Sequence, residues 1–311
     1  MATSSSYDFS IDRNGLILAA HQHIGAVGEG ETCTSAQNTE AAILLNMLTK
    51  LRAKDGMPLW ALKRGYTLPV TGASSVSTGG QMVTTYVQTT TSAASISGAT
   101  TITLTATTGV ANGYNIGVEQ NDGTVLWTTV SGALAGSVAT LATGLTAAVA
   151  SGNVVYVYQT ANRISRIIRV HDADVLDVVA GGTHNINQIT RPEYFGLGDR
   201  TSASVPSQFY MDIQLTSQEM FVYPRFDGGD HLIEFTYQRP FEDFDASTDT
   251  PDFPQEFYLP LMMELAFLLG PKFGVPIEER KLLLAEAQMY FAAALESNYA
   301  EGSLNIQPDM M

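Results

Sequence analysis

The residues closest to a metal-binding pattern lie in one short stretch near the N-terminus. They are His21, His23, Glu29, Glu31 and Cys33. Residues two positions apart on an α-helix point roughly 200° away from each other. His21 and His23 therefore cannot hold one ion unless the helix unravels there. We predict two histidines on a helix surface beside an acidic turn, and no metal site.

A second stretch imitates the first half of a calcium-binding loop. Asp243 and Asp245 have the right spacing, but the sixth position is Thr248 where the loop needs glycine, and the twelfth is Pro254 where it needs glutamate. We predict a solvated acidic loop over residues 241–254. Weak ion binding by this loop between subunits stays an open alternative.

No other set of residues favours an enzyme. Gly28-Glu29-Gly30 follows a predicted helix and not a strand, so it is not a dinucleotide-binding motif. His184 follows Gly181-Gly182 and is predicted to be a turn residue. The sequence has no phosphate-binding loop, serine-hydrolase elbow or zinc-protease motif. We predict no catalytic residue, no cofactor and no enzymatic activity.

The composition is that of an acidic, ordered protein of 311 residues. Its 16 Lys and Arg against 31 Asp and Glu give a net charge of −15, which opposes tight binding to nucleic acid. The charge suits a conduit that DNA passes without sticking, and it suits solubility equally well. Arg163, Arg166 and Arg169 are spaced three apart. We expect them to form ion pairs with the abundant carboxylates, and not to contact DNA.

The cysteine content and hydropathy indicate where the protein is made. A single cysteine, Cys33, excludes an intrachain disulfide and fits assembly in a reducing cytoplasm. The sequence shows neither a signal peptide pattern nor an apolar run long enough to span a membrane. We expect a protein that is neither exported nor embedded in a membrane.

Apolar periodicity and capping residues predict four helices, over residues 13–25, 35–54, 255–270 and 276–298. Asp12 is a predicted N-cap of the first helix, and Thr34 or Ser35 of the second. The apolar face predicted for the second helix consists of Ala41, Leu44, Leu45, Leu48 and Leu51.

A change of composition predicts an inserted domain. No Lys or Arg occurs between Arg64 and Arg163, and Thr, Ser, Gly, Ala and Val dominate that stretch. Asp122-Gly123 is a hairpin signal between two β-rich segments. We predict a small all-β sandwich or barrel over residues 72–160.

The rest of the chain is predicted to form one core around that insert. Residues 163–240 are predicted to form β hairpins, including a strand near Ile164 to Val170 and a hairpin around Asp227-Gly228-Gly229. The predicted fold class is α+β, with an α-helical bundle of N- and C-terminal helices, a β-rich region and the inserted β domain. Residues 1–71 and 161–311 form the predicted core, and 299–311 a flexible C-terminal tail.

The sequence outside the insert resembles the head-to-tail adaptor family of tailed bacteriophages, also called tail tubular or head-completion proteins and best known from podoviruses. The resemblance rests on the order of several short motifs. They are LILAA at 16–20, IG at 24–25, GE at 30–31, AILLNML at 42–48, PLW at 58–60, ITRPEY at 189–194, VPSQFY at 205–210, FVYP at 221–224, YQRP at 237–240, DFD at 243–245, FPQEF at 253–257, ELA at 264–266 and KFG at 272–274. Val205 and Phe257 depart from the glycine and tryptophan that the family usually has there, and the insert is longer than its short hairpin.

This resemblance implies a structural virion protein at the head-tail junction, assembled in the host cytoplasm. Its subunits would form a ring of twelve that joins the portal protein to a tail nozzle or tube and lines the DNA exit channel, with only transient, non-specific passage of DNA. The β insert would dock tail fibres or act as a spacer.

The C-terminal tail carries an apolar series that we expect to contact the portal. Its residues are Leu304, Ile306, Pro308, Met310 and Met311. Such a segment can fold on binding. Two rival hypotheses remain at this point: a receptor-binding or fibre-anchoring tail protein in which the insert is the active part, and a cell-wall hydrolase, which would need paired carboxylates in a cleft.

Overall fold

The computed structural model describes residues 9–53, 59–215 and 217–296. The chain forms two compact units, one made of the residues up to Leu62 together with those from Pro240 onward, and one made of Lys63–Arg239. We call them the helical unit and the β unit. Helices and strands occur in similar proportion, which confirms the predicted α+β class.

The described residues form five helices, α1 (Arg13–His23), α2 (Ser35–Arg52), α3 (Arg191–Gly196), α4 (Tyr258–Leu269) and α5 (Ile277–Glu296). The bounds of α1, α2, α4 and α5 are close to those predicted. Helix α3 lies within residues 163–240, where the sequence predicts β hairpins, and it begins with a capping box between Thr190 and Glu193. Asp12 Oδ1 accepts from Gly15 N at 2.7 Å, as an N-cap does. Thr34 forms a full capping box with Gln37. The last two residues of the predicted helix 276–298 lie outside the described residues.

Helix α4 forms the centre of the helical unit. Its apolar residues lie on most sides, and seven of its twelve residues are buried. Leu16 and Ile17 from α1 and Leu45 from α2 pack into the same core cluster. The prediction for α2 is wrong at Leu51, which is 51% exposed, because the buried face of the helix follows Ala41, Leu45 and Leu48 and leaves Leu51 roughly 90° from its centre.

The described residues form fifteen strands, which lie in the β unit except for Leu62, the first residue of β1. They are β1 (Leu62–Thr67), β2 (Ser75–Ser77), β3 (Met82–Val83), β4 (Val87–Thr90), β5 (Thr101–Thr103), β6 (Asn115–Glu119), β7 (Val125–Thr129), β8 (Val138–Thr140), β9 (Val154–Tyr158), β10 (Arg169–Asp177), β11 (Thr183–Asn185), β12 (Asn187–Gln188), β13 (Gln208–Asp212), β14 (Glu219–Tyr223) and β15 (His231–Gln238).

Two of the sheets share one core and form a sandwich. The first has the order β11-β10-β15-β1-β3, and the second β12-β13-β14-β2. Phe209 and Met220 from the second sheet pack in the same buried cluster as Phe235 from the first. The inner faces of the two sheets thus bury each other's alternating apolar residues, as packed sheets do.

The hairpin predicted around residues 227–229 is wrong. β14 pairs with β13 and β2, whereas β15 pairs with β10 and β1, so the chain crosses from one sheet to the other at this turn. The physical reason is that both strands present apolar residues to one core from opposite sides. The strand expected near Ile164 begins only at Arg169, and Ile164 itself is buried in that core.

The inserted β module, residues 87–158, has its own core. Its sheet has the order β4-β9-β6-β7, and β5 and β8 form a separate pair. β6 and β7 pair from Asn115↔Thr129 to Glu119↔Val125, which confirms the hairpin predicted at Asp122-Gly123. Twelve buried residues, among them Ile116, Val118 and Val157, form a cluster within the module.

The observed division of the chain differs from the predicted one. Strands β2 and β3 lie inside the predicted insert 72–160, yet they pair with β14 and β1 of the sandwich. A buried cluster that includes Leu68, Leu232 and Tyr156 joins the sandwich to the module. Trp127 Nε1 donates to Pro69 O at 2.9 Å across the same junction. The sandwich therefore belongs with the module in one compact unit, which also contains α3, and α1, α2, α4 and α5 lie in the other.

Candidate interaction surfaces

The residues that the sequence singles out for metal binding do not come together. His21 is fully buried, contrary to the prediction of a surface histidine, because it lies on the inner face of α1 four residues after Ile17, whose carbonyl is 2.9 Å from its Nδ1. Its ring meets Phe273 edge-on at 5.4 Å. His23 points to solvent. Over residues 9–53, 59–215 and 217–296 no group of His, Cys, Asp and Glu could hold a metal ion.

The acidic loop uses several of its carboxylates for local contacts. Asp252 Oδ2 accepts from Glu242 N at 3.1 Å, and Asp249 accepts from Ala246 N at 2.6 Å. Asp243 forms an ion pair with Lys50 of α2 at 2.8 Å. Carboxylates that point at backbone amides and a lysine do not converge on a cation, so the loop folds as a solvated turn.

Arg163, Arg166 and Arg169 do not form the expected ion pairs. The Arg163 guanidinium donates to Asn115 Oδ1 at 3.0 Å and lies 5.7 Å from the centre of the Tyr158 ring. Arg166 and Arg169 are exposed and have no carboxylate partner in the described part of the chain. The reason is local: Arg163 faces the junction of module and sandwich, where neutral acceptors are available.

An aromatic cleft lies inside the helical unit. Its walls are Thr49, Arg52, Trp60, Phe241, Phe253, Phe257, Leu261, Phe291 and Leu295, around a cavity of about 20 Å³. Arg52 closes one side, with its guanidinium carbon 4.3 Å from the centre of the Phe291 ring. Arg52 Nε donates to Glu264 Oε2 at 2.9 Å, and Glu264 is only 3% exposed. Sequence analysis missed this buried ion pair because its partners are 212 positions apart.

Helix α2 presents a row of apolar residues to solvent. Ile43, Met47 and Leu51 are 53%, 64% and 51% exposed. Their spacing of four places them on one ridge, which we call the α2 stripe. Large apolar residues this exposed and this regular are typical of an interaction surface.

Helix α5 has a second such row. Leu282, Ala285, Met289 and Ala292 are exposed, at a spacing of three and four. Of the twenty residues of the helix, only Ala287 and Ala294 are buried. Large and small side chains that alternate at this spacing leave room for ridges of another helix. We call this row the α5 stripe.

Three of the motif aromatics meet in one cluster on the sandwich. The Tyr194 ring is 5.2 Å from that of Phe221 and 6.4 Å from that of Tyr210, and Tyr210 stacks on Phe221 at 5.8 Å. Tyr194 comes from ITRPEY, Tyr210 from VPSQFY and Phe221 from FVYP. Motifs that are distant in sequence thus supply side chains to one packed site.

The residues predicted to contact the portal belong to the C-terminal tail. Leu304, Ile306, Pro308, Met310 and Met311 lie outside the described residues, as does the whole predicted tail 299–311. In the part of the chain that the structure describes, no helix has the length and apolar character needed to cross a membrane.

No protein-family model matches the chain, and no curated protein is significantly similar to it.

Proposed function

We propose that this chain is a structural adaptor of a tailed bacteriophage, which forms a ring between the portal and the tail around the DNA exit channel. The role is mechanical and not catalytic, and its partners are other copies of itself, the portal and a tail nozzle or tube protein. The observation that carries the proposal is the convergence of Tyr194, Tyr210 and Phe221, because it explains why three separate motifs occur together.

The exposed helices support self-assembly. A ring needs two different surfaces on each subunit, because each copy contacts one neighbour on either side by a heterologous interface. The α2 stripe and the α5 stripe supply two such apolar surfaces within the helical unit. Met47 and Met289 are both more than half exposed. Contact with a neighbouring subunit would remove their apolar surface from water and so stabilise the assembly.

The net charge supports a channel. A lumen that carries DNA must not hold it, and a charge of −15 per subunit opposes contact with phosphates. The inserted β module is held firmly by Trp127 and Tyr156, so it is suited to transmit load or to position an outer tail component.

The experiment mixes the purified protein with the cognate portal protein and counts the symmetry of the product by electron microscopy or native mass spectrometry. A twelve-subunit ring on the portal is the expected result. A stable trimer that ignores the portal would refute the proposal and favour a receptor-binding or fibre-anchoring protein.

One variant tests the interface directly. Met47→Asp should weaken assembly at least about tenfold, because it places a charge on the apolar stripe. Ile96→Asp is the matched control, since Ile96 is 77% exposed on the β module. Both variants should keep the circular dichroism of the wild type. Equal assembly of the two would remove the α2 stripe from the interface.

A further inference from the structure

A basic and aromatic patch lies beside the motif cluster, on α3 and the segment that follows it. Phe195 is 44% exposed. The guanidinium carbons of Arg191 and Arg200 lie 5.6 and 5.3 Å from the centre of its ring. We call Arg191, Phe195 and Arg200 the α3 patch. Two arginines on one exposed ring stand out in a chain with nearly twice as many acidic as basic residues.

The acidic residues next to the patch are already engaged. Glu193 accepts from Thr190 N at 2.7 Å and from its hydroxyl at 2.8 Å. Asp199 accepts from Thr201 N at 2.8 Å. These hydrogen bonds hold the pKa of both carboxyls below their ordinary values. Among the described residues, Arg191 and Arg200 have neither an ion pair nor a hydrogen-bonded acceptor.

The chemistry of the patch selects a carboxylate partner. A guanidinium that stacks on a ring keeps its N–H edge free for bidentate contact with a carboxylate. The exposed part of Phe195 adds apolar contact area to that site. A long polyanion such as DNA would meet the repulsion of the whole acidic chain, whereas a short acidic protein segment meets the local field of the patch.

The chain itself carries a segment of this chemistry. In the acidic loop, Asp243 is paired with Lys50. Glu242 and Asp245 are exposed, and neither has an ion pair within the described residues. Each copy in an assembly would therefore bring the two arginines of the α3 patch and these two carboxylates.

We propose that the α3 patch of one copy binds the acidic loop of a second copy, through Arg191 and Arg200 on one side and Glu242 and Asp245 on the other. The presence of that second copy rests on the ring proposed above. The contact is electrostatic, so it adds specificity and salt dependence to the apolar contact of the helix stripes.

The test is a charge swap in the full-length protein, with self-association measured by sedimentation velocity at low and high salt. Arg191→Glu with Arg200→Glu should weaken self-association roughly tenfold to thirtyfold at low salt. Glu242→Arg with Asp245→Arg should weaken it by a similar factor. The combination of all four should restore it to within about threefold of the wild type.

The matched control is Arg166→Glu with Arg169→Glu, which makes the same change in net charge at two exposed arginines of the same unit. It should leave self-association unchanged. If circular dichroism shows that Arg191→Glu with Arg200→Glu impairs folding, Arg191→Gln with Arg200→Gln takes its place. A loss of self-association of about fivefold is then expected.

Other outcomes overturn the inference in distinct ways. Self-association that the patch reversal leaves intact removes the patch from the interface, and a reversal that the loop variant does not rescue removes the loop as its partner. If a short DNA duplex binds the wild type and not the patch variant, while self-association is equal, the patch binds nucleic acid. A wild type that self-associates but ignores the portal contradicts only the proposed function, whereas one that never self-associates contradicts both.

Discussion

The buried ion pair between Arg52 and Glu264 allows a quantitative test of how the helical unit is stabilised. Glu264 is 3% exposed, and Arg52 donates to it at 2.9 Å. Arg52→Met would leave a buried carboxylate without its partner, which costs about 3–5 kcal/mol. The lost contact with the Phe291 ring, now at 4.3 Å, adds about 0.5–1 kcal/mol.

The double variant separates charge from packing. Arg52→Met with Glu264→Leu removes both charges and keeps apolar volume, so we expect it to lie within about 1 kcal/mol of the wild type. The change in the free energy of unfolding is also measured for Glu264→Leu alone. The difference between the sum of the two single-variant changes and the double-variant change gives the coupling energy of the pair.

The assay uses the distribution of the two tryptophans. Trp60 lies in the helical unit and Trp127 in the β unit. In a Trp127→Phe background, urea unfolding followed by fluorescence therefore reports the helical unit alone. A loss below about 1 kcal/mol for Arg52→Met, or a double variant as unstable as the single one, would refute the reasoning.

Three further predictions concern other parts of the molecule. A Cβ added at Gly117 would lie 2.6 Å from the Trp127 ring, so Gly117→Ala should destabilise the β unit by about 1–3 kcal/mol in urea unfolding, whereas Gly196→Ala, with open space around it, should be neutral. Burial raises the pKa of Tyr86 from 10.0 to about 12. The contribution of its neutral form to the free energy of unfolding is therefore complete below pH 10 and is lost as the pH rises through about 12. Tyr86→Phe should retain more near-ultraviolet circular dichroism than the wild type in that pH range. Thr34→Ala should cost the helical unit about 1 kcal/mol in thermal unfolding, because the capping box is lost.

The local part of the fold was predictable because its signals are local. Asp12 and Thr34 each act within three residues, so the starts of α1 and α2 follow from the sequence. The turn at Asp122-Gly123 joins strands that pair with each other. In each case the residues that determine the element are also its neighbours along the chain.

The wrong predictions concern elements whose structure depends on residues that are distant in the sequence. The sequence predicts the turn at residues 227–229 but not which strands pair on either side of it, because the same alternation of apolar residues fits either sheet of a sandwich. The sequence predicts His21 on the helix surface, whereas in the structure it lies on the inner face of α1 and its ring contacts Phe273.

The interaction surfaces were only partly within reach of the sequence. Arg191 and Phe195 are four apart on a helix, so their contact could have been inferred. The position of Arg200 beside the same ring depends on the turn after α3. Apolar periodicity predicts Leu51 on the same face of α2 as Leu44 and Leu48, and only the packing of the helix shows that Leu51 faces outward.

The strands that open and close the inserted module, β4 and β9, pair with each other from Val87↔Val157 to Thr90↔Val154. The chain therefore departs and returns through adjacent points, and lengthening it there strains nothing in the sandwich. This position is therefore suited to the insertion of a foreign domain whose N- and C-termini lie close together. An inserted domain must supply its own side chains to bury Leu68 and Leu232, which Tyr156 now covers. The fit of that domain against these two residues, and not its length, therefore decides whether the sandwich tolerates the insertion.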